Sequence, residues 1–176
     1  MPECAEETTT QHHLGAGFGF GPVDNDEYVY FAVFDQTKRD GNLLSADSFD
    51  NKQLKKEGLS VSRASHVTHA VFNAEVVKHG ANPKGALVGL SRALTGEIRS
   101  LKSRIQLNSS ETLVRAFCVL DSVQPGDYDA HATVNYGEFP TGVSEGKIGA
   151  IRSKARMDLA DVFSSIEAQE NFSFKP

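Results

Sequence analysis

The run Tyr28-Val29-Tyr30-Phe31-Ala32-Val33-Phe34 constrains this chain more than any other stretch. Aromatic and β-branched side chains pack well on a pleated surface and lose rotamer freedom in a helix, so this run predicts a strand. A strand needs partners, and the chain supplies several candidates. Leu59-Ser60-Val61-Ser62 alternates apolar and polar residues, as a half-buried strand does. Ala86 to Leu90, Thr112 to Leu120 and His131 to Tyr136 complete the predicted strands. Asp35 to Gly41, Gln124-Pro125-Gly126-Asp127 and Phe139-Pro140-Thr141-Gly142 have the composition of turns and loops. Leu43 to Phe49 reads as irregular.

Helical signals fall between the strands. A short helix is expected from Asp50 to Glu57, stopped by Gly58. Ser65 is the expected N-cap of a helix that runs to His79 and stops at Gly80, with Val67, Ala70, Val71, Ala74 and Val77 on one face. Thr95 is placed to cap a short helix through Lys102. The clearest helix is the last. Ile148, Ile151, Ala155, Leu159, Val162, Phe163 and Ile166 recur at steps of three and four. Strands and helices are interspersed, yet helical crossovers between every strand are missing. The expected fold is therefore α+β, with one mixed or largely antiparallel sheet, packed helices and a long amphipathic C-terminal helix.

The length of 176 residues suits one domain with a real core. Residues 1–26 read as a flexible or loosely docked tail, and residues 27–176 as the single domain. The tail alternates Gly15, Gly17, Gly19 and Gly21 with Ala16, Phe18 and Phe20, but no strand precedes that string and no helix follows it to make a dinucleotide loop. No apolar run approaches the roughly 18 residues needed to cross a bilayer. The first residues lack the basic and apolar regions of a secretory signal and the arginines of a transit peptide. Cys4 and Cys118 are the only cysteines, one in a polar stretch and one in an apolar strand. That pattern predicts no structural disulfide and a reducing, cytoplasmic setting. Net charge is −5, with seven acids and no Lys or Arg before residue 38. The rest of the chain is +2 (18 basic against 16 acidic residues), too weak an excess for a general nucleic-acid binder.

Three constellations carry chemistry. Ser60 and Ser62 stand on the polar side of a strand, and Arg63 and Ser65 follow at the expected helix entry. Hydroxyls and a guanidinium beside a helix N-terminus suit a phosphate or carboxylate. The bland alternative is a capped helix with a surface Arg. His66 and His69 lie three apart on one helical face and are able to share a metal with Asp127, Asp129 or His131. HxxH without an intervening glutamate is no metalloprotease signature, so two structural histidines fit as well. His131 follows Asp127 and Asp129, and a nearby acid can orient a histidine as a general base. The alternative there is an Asx-type turn with His131 packed at a strand end. No nucleophile elbow, P-loop or HExxH is present, and Cys118 sits in an expected core strand. The final helix carries Lys147, Arg152, Lys154 and Arg156 first and Asp158, Asp161, Glu167 and Glu170 later, the reverse of what the helix dipole favours. Its basic half is suited to a solvated face, a bound anion, the acidic tail or an acidic partner.

Through LSV (Leu59-Ser60-Val61) and the DxxHA-type segment (Asp127-Tyr128-Asp129-Ala130-His131-Ala132) the chain resembles a group of short uncharacterised bacterial proteins. Ser45-Ala46-Asp47-Ser48-Phe49 fits their Ser-x-x-Phe segment loosely, and Asp127-Tyr128 stands where they have Asp-Pro. The resemblance touches about a quarter of the chain. It implies a bacterial origin and a place among accessory or defence genes, but no activity. Two functions are expected to compete. One is a small cytoplasmic enzyme or ligand-binding domain for a phosphate-bearing molecule such as a nucleotide. In it Ser60, Ser62, Arg63 and Ser65 hold the anion and His66, His69, Asp129 and His131 supply the chemistry, with metal and cofactor open. The other is a non-catalytic interaction module (antitoxin, immunity, defence accessory or complex-assembly subunit) using the acidic tail or the final helix.

Overall fold

The computed structural model describes Cys4 and residues 21–35, 37–68, 70–72, 85–107, 110–121 and 130–168, and the structural statements below concern those residues. The strands are β1 Tyr28–Phe34, β2 Arg39–Asp40, β3 Leu43–Leu44, β4 Leu59–Arg63, β5 Leu87–Leu94, β6 Lys102–Leu107, β7 Ser110–Arg115, β8 Phe117–Asp121 and β9 His131–Tyr136. Five of them form an antiparallel sheet in the order β5-β1-β4-β9-β8. β2–β3 and β6–β7 are separate two-stranded hairpins. A 3-10 turn at Ala46–Ser48, a helical stretch over residues 51–57 that ends at Gly58 as expected, a short helix, Thr95–Ser100, and a long one, Glu145–Val162, complete the described regular elements, and the fold is α+β as expected.

Strand alternation divides the sheet into two faces with different fates. Val29, Phe31 and Val33 of β1, Leu59 and Val61 of β4, Phe117 and Val119 of β8, and Ala132 and Val134 of β9 enter the main core. The long helix covers that face with Ala155 and Leu159, and Phe163 follows at its C-cap. Phe31, Phe49 and Phe163 meet there with ring centroids 5.6–6.2 Å apart. Each such buried ring contributes about 1.5–3 kcal/mol relative to exposure. The second face is apolar only near β1 and β5. There Tyr30 and Leu90 pack under Ala64, Val67 and Phe72. Towards β9 it is polar, and the candidate site lies at that end.

Besides the β2–β3 hairpin, which lies in the expected turn and irregular stretch, and the extension of β5 to Leu94, the chain departs from the sequence expectations at five places. The helix expected to start at Ser65 starts later. Ala64 to His66 is a turn, and the Thr68 hydroxyl accepts from the Val71 N–H (3.2 Å), so Thr68 is the cap of the helical residues 70–72. The rest of that expected helix lies outside the described residues. The helix from Thr95 stops at Ser100, and Lys102 opens β6 instead. Ser103 and Ile105 point inward while Lys102, Arg104 and Gln106 point to water, and β7 pairs with them across Leu107↔Ser110. The expected single strand Thr112–Leu120 is broken at Ala116 into β7 and β8. The long helix ends at Val162. Ile166 follows in an extended stretch where Leu90 and Glu167 exchange backbone hydrogen bonds (2.9 and 2.8 Å). The free edge of β5 offers unpaired backbone groups, and that stretch satisfies them.

The fifth departure is covalent. Cys4 and Cys118 form a disulfide with their Cα atoms 5.6 Å apart, which corrects the expectation of two free thiols. The described end of the expected tail is docked as well. Val23 is buried in the main core, and Gly21 binds both Asp121 and Arg63. No helix among the described residues is long and apolar enough to cross a membrane.

Candidate functional site

β4 and β9 are neighbours, so the Leu59–Arg63 segment and His131 do meet. Ser62 pairs with His131 and Ser60 with Thr133 across the two strands. Because Leu59, Val61, Ala132 and Val134 fill the main core, Ser60, Ser62, His131 and Thr133 share the opposite face. Ser60 Oγ lies 2.8 Å from His131 Nε2, a diagonal contact between paired strands. Ser60 is exposed and His131 half-buried, whereas Ser62 and Thr133 are buried. A neutral imidazole with Nε2 unprotonated accepts the hydroxyl proton. A charged imidazole instead donates to the hydroxyl oxygen.

Arg63 does not join this patch. Alternation turns the residue after Ser62 to the other side of the sheet, and Arg63 is the last residue of β4, not the first of a helix. Its guanidinium is buried against carboxylates. Nε and Nη2 reach the two oxygens of Glu27 (3.1 and 2.8 Å), and Nη1 lies 3.3 Å from Asp121. Nη1 also donates to the Gly21 carbonyl at 2.7 Å, and Nη2 to that of Pro22 at 3.4 Å. Gly21 returns its N–H to Asp121 at 2.9 Å. This cluster pins the entering chain to the ends of β4 and β8. The expected anion cradle of Ser60, Ser62, Arg63 and Ser65 therefore does not assemble. Ser65 is exposed in the turn after β4.

His66 lies near the same cluster. Burial and then the Arg63 guanidinium hold its imidazole below the ordinary value of 6.5, against an opposite pull from Glu27 and Asp121. His69, Asp127 and Asp129 lie outside the described residues. Among the described residues no group of three His, Cys, Asp or Glu is placed to hold a metal.

Two basic residues of the long helix are engaged inside the domain. Arg152 stacks over Tyr136 and Phe139, each 5.1 Å from its guanidinium carbon. Arg156 donates to the carbonyls of Ala46 and Phe49 (3.3 and 3.2 Å). Their place in the helix's first half, against the dipole, follows from these contacts with β9 and with the 3-10 turn that follows β3. Lys154 pairs with Asp158 one turn on.

Sequence reasoning missed three participants. Thr133 joins the patch only through the β4–β9 register. Glu27 and Asp121 select Arg63 from distant segments, and no local spacing signals that. The alternation of β4 carried one readable hint, since it sets Arg63 and Ser62 on opposite faces. No protein-family model matches the chain, and no curated protein or solved structure matches it.

Proposed function

We propose that the protein is a small ligand-binding or catalytic domain for a phosphate-bearing molecule such as a nucleotide, with its site on the polar end of the second sheet face. The observation that carries this reading is the 2.8 Å Ser60 Oγ–His131 Nε2 contact. It holds an exposed hydroxyl against an imidazole on two hydrogen-bonded strands, a rigid base for a site. A protonated His131 gives a phosphate one cationic donor, and the Ser60 hydroxyl gives a second donor. A neutral His131 instead draws the proton from Ser60, the arrangement of a general base beside a nucleophile. Arg63 plays no part in contact with the ligand, because its donors are spent on Glu27 and Asp121.

Calorimetric titration with inorganic phosphate, AMP and ATP at pH 6 and pH 7.5 tests the reading. Binding is expected to weaken at least about tenfold in His131→Ala and several-fold in Ser60→Ala, the worth of one charge-assisted and one ordinary hydrogen bond. Ser65→Ala should change nothing. Absence of binding by all three compounds would refute the proposal. The Cys4–Cys118 disulfide supports an oxidising setting over the reducing cytoplasm that the composition suggests. Thiol counting on protein extracted under acid quench distinguishes the two.

A second reading, the non-catalytic interaction module, is supported by the β6–β7 hairpin. Leu113 is 58% exposed there, beside exposed Glu111 and Thr112. Leu113→Asp should leave the fold intact and abolish any complex formed in the native host.

A further inference from the structure

We propose that Arg152 is the centre of a second binding site, for the carboxylate or phosphate group of a small molecule, on the side of the sheet opposite Ser60 and His131. The proposal goes beyond the reading of the first site and does not depend on it.

Strand register fixes the floor of this site. Tyr136 alternates with Ala132 and Val134, so its ring stands on the main-core side, where it stacks on Phe117 with centroids 5.4 Å apart. The Tyr136 hydroxyl is fixed as well. It donates to Asn51 Oδ1 at 2.9 Å and lies 3.5 Å from the Arg152 carbonyl oxygen. The long helix sets the Arg152 guanidinium over this ring and the ring of Phe139. Attraction between a cation and aromatic faces holds the guanidinium without using its hydrogen-bond donors.

Among the described residues nothing accepts from those donors. Nε is closed off from water with no acceptor, while the two terminal nitrogens are not closed off. No acid stands three or four residues away in the helix, where the chain has Ile148, Gly149, Ala155 and Arg156. Glu138, beside Phe139 in the chain, is exposed and makes no ion pair with Arg152. The neighbouring cations are already engaged. Lys154 has Asp158 one turn on, and Arg156 meets the Ala46 and Phe49 carbonyls and, at 3.9 Å, Asp47. Helical side chains lean towards the N-terminus, which for Arg152 is the turn of Gly149. Gly149 is exposed, and a Cβ there would meet nothing within 4 Å. That surface is therefore uncovered. A planar fork of N–H donors matches two oxygens of a carboxylate or phosphate, and a fork already fixed on aromatic rings loses less freedom when it binds them.

The test uses the full chain, isotope-labelled, and follows the arginine Nε–H resonances by nuclear magnetic resonance. Arg152 is assigned by through-bond correlation to its backbone and by the loss of its signal in Arg152→Lys. Inorganic phosphate and acetate are titrated separately, with chloride holding the ionic strength constant. The Arg152 signal should shift saturably with at least one probe, with half-saturation on the order of 1–10 mM, and the probe with the lower value identifies the group. Phe139→Ala should raise that half-saturation about two- to fivefold. His131→Ala should leave it unchanged. No saturable shift with either probe would overturn the proposal, and so would an equal shift at the exposed Arg104 or an unchanged value in Phe139→Ala. Loss of the Arg152 shift in His131→Ala would overturn it too, since the two sites would then be one. Failure of phosphate or nucleotide binding at His131 leaves the Arg152 shift as expected, so the two readings fail separately.

Discussion

Replacing Arg63 by methionine keeps the length of the side chain and removes its charge and its hydrogen bonds. Arg63 is 2% exposed, and its carboxylate partners Glu27 and Asp121 are 4% and 11% exposed at their side chains. Loss of the guanidinium leaves two shielded carboxylates without a counter-charge and two backbone carbonyls, of Gly21 and Pro22, without a donor. Breaking a buried pair from one side costs about 3–5 kcal/mol, because the orphaned charge keeps its desolvation penalty and loses its compensation. Against a total stability of about 5–15 kcal/mol that is a large fraction. It corresponds to a fall in Tm of about 6–20 °C for a domain of this size. The chain has no tryptophan, so urea unfolding is best followed by circular dichroism and tyrosine fluorescence. The control is Arg104→Met. Arg104 also pairs with a glutamate, Glu111 at 3.4 Å, but both side chains are largely in water, and the expected cost is about 0–1 kcal/mol. Adding Glu27→Gln to Arg63→Met should cost less than the two single changes summed, since it removes one orphaned charge. A loss below about 1 kcal/mol in Arg63→Met would refute the reasoning, and so would strict additivity in the double variant.

Three further outcomes follow from single residues. His66 has a lowered pKa in the fold, so the unfolded chain takes up its proton first as pH falls through 6.5, and stability should drop from there until the folded imidazole also titrates. His66→Gln should flatten the pH dependence of the urea midpoint between pH 7 and 5, and an unchanged slope would count against this assignment. Tyr136 is raised to about 12 by burial, against the opposing pull of Arg156 and Arg152, and its hydroxyl donates to Asn51 at 2.9 Å. The unfolded phenol ionises near 10, so stability is complete below that pH and is lost as pH rises towards 12. Ultraviolet titration of wild type and Tyr136→Phe should differ by one late-ionising phenol. Gly58 has φ +80°, and a Cβ there would stand 2.5 Å from Thr133 Cβ. Gly58→Ala should therefore cost about 2–5 kcal/mol in urea unfolding, combining backbone strain with overpacking.

The strands were legible where side-chain chemistry alone dictates them. β1 spans the run that the sequence marks, and β9 has the expected bounds, because aromatic and β-branched residues fit a pleated sheet whatever lies beside them. β6 was hidden because Lys-Ser-Arg-Ile-Gln-Leu mixes long polar side chains with few apolar ones, and only its alternation marks it. The end of the long helix was hidden for another reason. Ile166 keeps the helical spacing, yet the edge of β5 draws its neighbour Glu167 into extended pairing, and that competition is not written in local periodicity.

The candidate site divides along the same line. Ser60 and Ser62 are readable as a polar strand face, and His131 as the start of another strand. Their meeting depends on a register between segments about seventy residues apart, which no spacing encodes. Arg63 is the instructive case. A helix N-terminus would have made it a surface cation free for an anion, and one strand residue more made it a buried partner of Glu27. The difference is a turn of the backbone at Ala64, after which Thr68 and not Ser65 caps the helix. With Arg63 held by Glu27 and Asp121, a ligand on this face meets the Ser60 hydroxyl and the His131 imidazole and not a guanidinium, so a site there differs in kind from the cradle that a helix at Ser65 would have built.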